Sequence, residues 1–343
     1  MPEENQKTPL PLDTETSTPL LAAPPERMLL PRVAIGATLM ALSLFGAMAL
    51  ISSALPAVIP TETQVAAVQT SIDTSHFANL TLGARSAYVL DASNDTPLYT
   101  RDPDAQLPLA SITKVMLALA VSDVLSMDET VIVSQEAVIR GEGGLTPGEV
   151  WRVRELIDFM LITSSNVAAE TLREAAEPRF AERYPAATAG EATLTHMNAR
   201  ARELGMHSTF FLNPSGLDES TTQAGAYGSA RDIGTLFAYI LRAKRDLFAG
   251  TTRTEAVLGP VNMPKRVVQN TNATLGSIPH VFMGKTGFTD LAGGNLAVAF
   301  DAFEGRPVVV VVLGSSQEGR FTDVRALAEA SLKTLAPEPT VVE

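Results

Sequence analysis

Residues 280–313 read HVFMGKTGFTDLAGGNLAVAFDAFEGRPVVVVVL and hold three strand candidates in succession: His280–Lys285, Asn295–Phe300 and the β-branched run Pro307–Leu313. Far upstream, Ala87–Leu90 and Leu98–Thr100 form a short hairpin around the turn residues Ser93, Asn94, Asp95 and Pro97. Between the two lies a helical middle. A long apolar helix has Pro108 in its first turn and an almost wholly apolar run from Val115 to Val121, so it is expected inside the domain. Further helices are expected over about Val153–Leu161, Asn166–Ala176, Leu194–Leu204 and Arg231–Ala243, and one over Phe321–Leu335 closes the unit. An early hairpin, a helical middle and three late strands do not alternate as βαβ units do. They predict a mixed α/β (α+β type) domain, with an antiparallel sheet whose first strands pair with its last, flanked by helices.

Composition narrows the function classes. The chain has 343 residues, 45% of them hydrophobic, enough for a sizeable core. Its 26 basic and 38 acidic residues give a net charge of -12, and no Lys/Arg block stands out, which argues against nucleic acid as a partner. Cysteine is absent, so disulfides and thiolate metal sites are excluded. His76, His196, His207 and His280 show no ligand spacing, so a zinc centre is not expected. Glu142 and its neighbouring glycines lack P-loop spacing and read as a turn. Asn213-Pro214-Ser215-Gly216 reads as a turn with a positive-φ glycine, and Trp151 as packing.

Residues 33–55, VAIGATLMALSLFGAMALISSAL, carry no charge across 23 positions. At about 1.5 Å per residue such a helix crosses a hydrocarbon core of about 30 Å. The run exceeds the 7–15 apolar residues of a signal peptide, roughly. Arg27 and Arg32 precede it, and the next basic residue is Arg85. The positive-inside rule then predicts a single-pass protein of the cell membrane, its N-terminus cytoplasmic and its folded domain outside. The expected organisation is a disordered cytoplasmic tail (1–32), a transmembrane anchor (33–55), an extracytoplasmic linker (56–84), a catalytic domain (85–336) and a short tail (337–343).

Three short stretches carry chemistry. Ser111-Ile112-Thr113-Lys114 opens the apolar helix, where positions i and i+3 share a face and bring hydroxyl and amine together. The helix start offers unpaired N–H groups to a developing anion, and an apolar setting lowers a lysine's pKa enough to make it a base. Alone, the tetrapeptide is also an ordinary capped helix. Ser164-Ser165-Asn166 lies between two helices, and Ser or Asn there is also a plain N-cap. Lys285-Thr286-Gly287, expected at a strand end before Phe288, offers a cation and a hydroxyl to an anion on an edge that can pair with an extended substrate.

Together, in this order, with about 50 and then about 120 residues between them, the three stretches resemble the motif set of penicillin-recognising serine enzymes. The segments SAYVLDASNDTPLYTRDPDAQLPLASITKVM (86–116), GGLTPGEVWRVRELIDFMLITSSN (143–166), MNARARELGMHSTFFLNPSGLDE (197–219), YGSARDIGTLFAYI (227–240) and KTGFTDLAGGNLAVA (285–299) are similar to the D-alanyl-D-alanine carboxypeptidases, the low-molecular-mass penicillin-binding proteins. The resemblance spans about 85–335 and implies a β-lactamase/transpeptidase-like fold. It implies that Ser111 attacks the carbonyl between the two terminal D-alanines of a peptidoglycan stem peptide and forms an acyl-enzyme. Lys114 would act as general base and Ser164 as proton relay, while Asn166 holds the substrate amide. Lys285, Thr286 and Gly287 would line the substrate site, the first two binding the terminal carboxylate. The backbone N–H groups of Ser111 and Phe288 would form an oxyanion hole, and β-lactams would acylate the same serine. No cofactor is implied. Ser165 and Val167 depart from the family's usual Gly/Ala and Asp at those places, and 178–193 looks longer than the family's loop. Many relatives add a C-terminal β-rich domain and a membrane helix; here the N-terminal segment is expected to supply the anchor.

Neighbouring readings share the fold. A class A-like β-lactamase needs a glutamate for deacylation, and about 35 residues after Ser164 the chain has Ala199, Arg200 and Ala201. A peptidoglycan D,D-endopeptidase leaves no separate signature. A catalytically inactive wall-binding domain fits poorly with three intact motif cores. A zinc D,D-peptidase needs ligands that are not there.

Overall fold

The computed structural model describes residues 73–142 and 144–337. The expected cytoplasmic tail, the transmembrane segment 33–55 and the first part of the linker lie outside them. Among the described residues, no helix is long and apolar enough to cross a membrane.

The chain enters a sheet through the hairpin β1 (Ser86–Asp91) and β2 (Thr96–Arg101), whose turn places Asp95 at a positive φ of 58°. A two-residue strand β3 (Leu107–Pro108), a 3₁₀ turn (Ala110–Ile112) and α1 (Thr113–Val121) follow. The middle consists of β4 (Thr130–Ile132), α2 (Gln135–Arg140), β5 (Val150–Arg152), α3 (Val153–Thr163), α4 (Asn166–Arg183) and α5 (Ala192–Glu203). Then come β6 (Phe210–Phe211), β7 (Ala226–Gly228), α6 (Ala230–Ala243) and the hairpin β8 (Glu255–Leu258) and β9 (Arg266–Gln269). The sheet is completed by β10 (Val281–Thr289), β11 (Gly293–Phe303) and β12 (Arg306–Ser315), and α7 (Gly319–Leu335) ends the domain.

Strand order is β10-β11-β12-β1-β2, antiparallel throughout, with Val89 facing Val310 where the first strands meet the last. The valine run is continuous because β12 is covered on both faces. Val308, Val310 and Val312 pack toward Val324 and Leu327 of α7. Val309, Val311 and Leu313 point the other way, into the larger core shared with α1, α3, α4 and α6. Each fully buried valine of this kind contributes about 1.5–3 kcal/mol. All nine residues of α1 are buried.

Several boundaries differ from those expected. Pro97 lies within β2, where edge position tolerates its missing N–H. Pro108 pairs with Tyr227 in β3 rather than opening a helix, and a 3₁₀ turn precedes α1. The folded unit takes in Phe77, Leu82 and Ala84, which lie before Arg85, and the Phe77 ring stacks on Tyr99 at 5.4 Å. Helix α4 continues through Pro178 to Arg183, so much of 178–193 is helical and only residues 184–191 link α4 to α5. Lys285-Thr286-Gly287 sits inside β10 rather than at a strand end.

Candidate active site

Three elements converge where α1 begins. The segment before it carries Ala110 at a positive φ of 48°, an uncommon conformation for a residue with a side chain, directly before Ser111. Two glycines allow this turn to be packed tightly. A Cβ on Gly216 (φ 77°) would lie 1.9 Å from the Ala110 carbonyl oxygen, and one on Gly287 would lie 3.3 Å from the Ser111 nitrogen. Strand β10 therefore runs against the backbone of the 3₁₀ turn at van der Waals distance. Gly287 thereby meets the Ser111 backbone, and the next residue, Phe288, is 43% exposed.

The loop between α3 and α4 supplies the second element. Ser164 ends α3 in the left-handed region (φ 63°), and the Ser165 hydroxyl caps α4 by accepting the Ala168 N–H at 3.2 Å. That cap places Asn166 in the first turn of α4, its side chain toward α1.

Lys114 is the hub. It is fully buried, and its Nζ lies 2.7 Å from Ser111 Oγ, 2.8 Å from Asn166 Oδ1 and 2.8 Å from the Ser215 carbonyl oxygen. Two of these partners can only accept. A neutral amine donates its two protons to them and turns its lone pair to the third, the hydroxyl of Ser111. Burial lowers the Lys114 pKa to about 7, with the Glu170 carboxylate pulling it partly back up. The geometry and the protonation state thus agree on a base facing a serine.

Lys285 forms the second buried amine. Its Nζ donates to Ser164 Oγ at 2.9 Å and to the Thr286 carbonyl at 2.7 Å. Burial pushes its pKa well below the usual lysine value, and the charges of Lys114 and Arg320 push the same way. Ser164 is tied to one lysine while Asn166, two residues on, is tied to the other.

Residues that no motif announced complete the cleft. Thr271 Oγ1 lies 2.6 Å from Thr286 Oγ1, and Arg320 of α7 donates from Nη1 to the Gly287 carbonyl at 2.7 Å. Arg320 is buried, so β10 is flanked by a cation from beyond the sheet. The Asp218 carboxylate accepts from Thr289 Oγ1 and from the Leu291 N–H, joining the Asn213–Asp218 loop to the end of β10. Asn213, Pro214, Ser215 and Gly216 are thereby a wall of the site as well as a turn. Trp151 is wholly buried and donates to Glu149. His207 and His280 are exposed. Ala199, Arg200 and Ala201 lie on α5, where Arg200 bonds Glu203 and Tyr239. No cluster of potential metal ligands occurs among the described residues.

Two buried amines have a consequence for stability. An unfolded lysine keeps its proton to about pH 10.4. In the folded protein Lys114 releases it near 7, and the Lys285 value is lowered too. Between about pH 7 and about pH 10 the unfolded chain binds more protons, so stability rises with pH across that window. Below it, the cost of burying the amines is fully present. The melting temperature is expected to climb from about pH 7 to about pH 9; a falling melt over that range would show that the amines stay charged.

Comparison with known proteins gives a consistent set. Residues 72–317 match a family model described as D-alanyl-D-alanine carboxypeptidase. The chain is 30% identical over 241 residues to the D-alanyl-D-alanine carboxypeptidase DacB2 of Mycobacterium tuberculosis, covering 69% of this chain and 77% of that one. It is 30% identical over 248 residues to a D-alanyl-D-alanine endopeptidase of Pseudomonas aeruginosa, covering 70% and 74%. Among solved structures, penicillin-binding protein D2 of Listeria monocytogenes with ampicillin bound is similar at a TM-score of 0.61 and 29% identity, covering 74% of this chain and 98% of that one.

Proposed function

This chain belongs to the D-alanyl-D-alanine carboxypeptidase family, and from that premise we propose how its cleft works as a serine peptidase on peptidoglycan stem peptides. The observation that carries the mechanism is the Lys114 amine, whose two carbonyl partners leave its lone pair for Ser111 at 2.7 Å. Lys114 takes the Ser111 proton as Oγ attacks the carbonyl between the terminal D-alanines. The backbone N–H groups of Ser111 and Phe288 receive the oxyanion, where one lost donor raises the barrier by roughly 3–4 kcal/mol. Ser164, held by Lys285, relays to the departing D-alanine amine the proton that Lys114 took from Ser111, so that both end as they began. Asn166 binds the substrate amide. Lys285 and Thr286 meet the terminal carboxylate, and Arg320 adds positive potential from behind β10. Water then releases the acyl group. A β-lactam enters by the same attack but has no leaving group that diffuses away, so its acyl-enzyme persists.

Purified outer domain is expected to release one D-alanine per pentapeptide ending in D-Ala-D-Ala, read by chromatography. A domain that binds penicillin covalently yet releases none points to the second reading. That reading, cleavage of cross-links between stem peptides, is favoured by the similarity to the Pseudomonas endopeptidase. Mass spectrometry of digested peptidoglycan separates the two.

The protein's place is part of the proposal. The uncharged 23-residue stretch at 33–55 and the arginines before it support a single-pass anchor in a bacterial cell membrane, with the catalytic domain outside. Deleting 33–55 together with the preceding tail, behind a cleavable export signal, is expected to move the protein from the membrane pellet to the soluble fraction. Retention in the pellet after deletion would remove the anchor from that segment.

A further inference from the structure

A cavity of about 400 Å³ is lined by Glu170, Arg173, Arg140, Glu191 and the loop from Leu212 to Glu219. Ser215, whose carbonyl accepts from Lys114, is part of its wall. Glu170 belongs to α4, four residues after Asn166, so the two side chains share one helix face. Asn166 Oδ1 is itself bonded to Lys114. The Glu170 residue is only 7% exposed, and its Oε2 accepts from Arg173 Nε at 3.0 Å. A carboxylate in so low a dielectric acts on a buried amine far more strongly than a surface one.

We propose that Glu170 is a positioning residue for the reaction: from the α4 face that carries Asn166, its carboxylate stabilises the ammonium that Lys114 becomes on taking the Ser111 proton. The proposal rests on Lys114 being the base. In the step concerned, the Ser111 O–H bond breaks, its proton moves to the Lys114 lone pair, and the oxygen's electron pair forms the bond to the substrate carbonyl carbon. On the β10 side stands the Lys285 amine, whose pKa is held down by burial and by the charges of Lys114 and Arg320. Among the described residues, Glu170 is the carboxylate whose charge raises the Lys114 pKa. Burial raises the Glu170 pKa, with Glu174 adding to it, while Arg173 and Arg140 work toward its charged form. Glu191, Asp218 and Glu219 reach the same cavity from the loops. Arg173 also lies near Glu174 and Glu177, so it keeps acidic neighbours when Glu170 is changed.

The signature is a paired change. Without the carboxylate, Lys114 loses its proton more readily but is a weaker base. In Glu170→Gln, the midpoint for acylation by a fluorescent penicillin is expected to fall by about half to one pH unit, and the plateau rate by about threefold. Glu170→Asp keeps the charge at a greater distance, and its midpoint is expected between those of the wild type and Glu170→Gln. It serves as the reading should the glutamine variant fail to fold. A lost packing contact alone lowers the rate without moving the midpoint. Equal midpoints in the wild type and in whichever variant folds therefore overturn the proposal. Failure of the underlying mechanism looks different: the wild-type profile then has no limb near pH 7, or labelling survives in Ser111→Ala.

Discussion

Ser111→Ala is expected to abolish covalent labelling by a fluorescent penicillin and to cut D-alanine release by about 10⁴-fold or more, because removal of a nucleophile leaves only binding and the oxyanion site. The fold should hardly notice. Ser111 is half-buried and its hydroxyl makes one bond, to Lys114, so the loss is about 1 kcal/mol. The surrounding turn is shaped by the backbone of Ala110, Gly216 and Gly287, which the substitution leaves alone. An unchanged melting curve beside an unlabelled protein is the expected pair of results. Persistent labelling of the alanine variant, mapped by peptide mass, would take the nucleophile elsewhere.

Lys114→Ala carries the second large effect. Loss of a general base costs about 10²–10⁴ in rate. The pH limb near 7 should vanish with the amine, so the residual rate becomes flat where the wild type climbs with rising pH. Here the fold is not indifferent. The Asn166 Oδ1 and Ser215 carbonyl lose their donor, at about 1–3 kcal/mol for each buried group left unpaired. Removing a desolvated amine works in the opposite direction, so the melting temperature changes less than either term alone. A variant acylated within about tenfold of the wild type, with its pH limb intact, would mean that another group takes the serine proton.

How far these sites were legible differs by kind. The motif residues are legible because three short stretches, each weak alone, stand in an order and spacing that resemble one family's motif set, and the structure brings Ser111, Lys114, Ser164, Asn166 and Lys285 together. The sheet was legible from Val308–Leu313, whose unbroken apolar run fits a strand covered on both faces. Pro97 and Pro108 misled for one reason. Proline suits a turn or a first helical turn locally, but both lie in strands where pairing leaves their missing N–H unneeded. Pro178 had the same effect on α4. Thr271, Asp218, Arg320 and Glu170 were not legible as site residues. Each is a lone residue in an ordinary helix or loop, and only long-range packing brings it to the cleft. Glu170 shows this best: no motif includes it, yet the residue is only 7% exposed and lies on the α4 face that carries Asn166.

The pairing of β1 with β12 bears on how the protein comes into being. Ser86 faces Leu313, so the hairpin that emerges first in synthesis has no neighbour until nearly the whole chain has followed. Until then, both faces of β1 present apolar side chains to water, and a high contact order makes closure slow. Truncations ahead of β12 are therefore expected to leave an aggregation-prone fragment rather than a smaller enzyme.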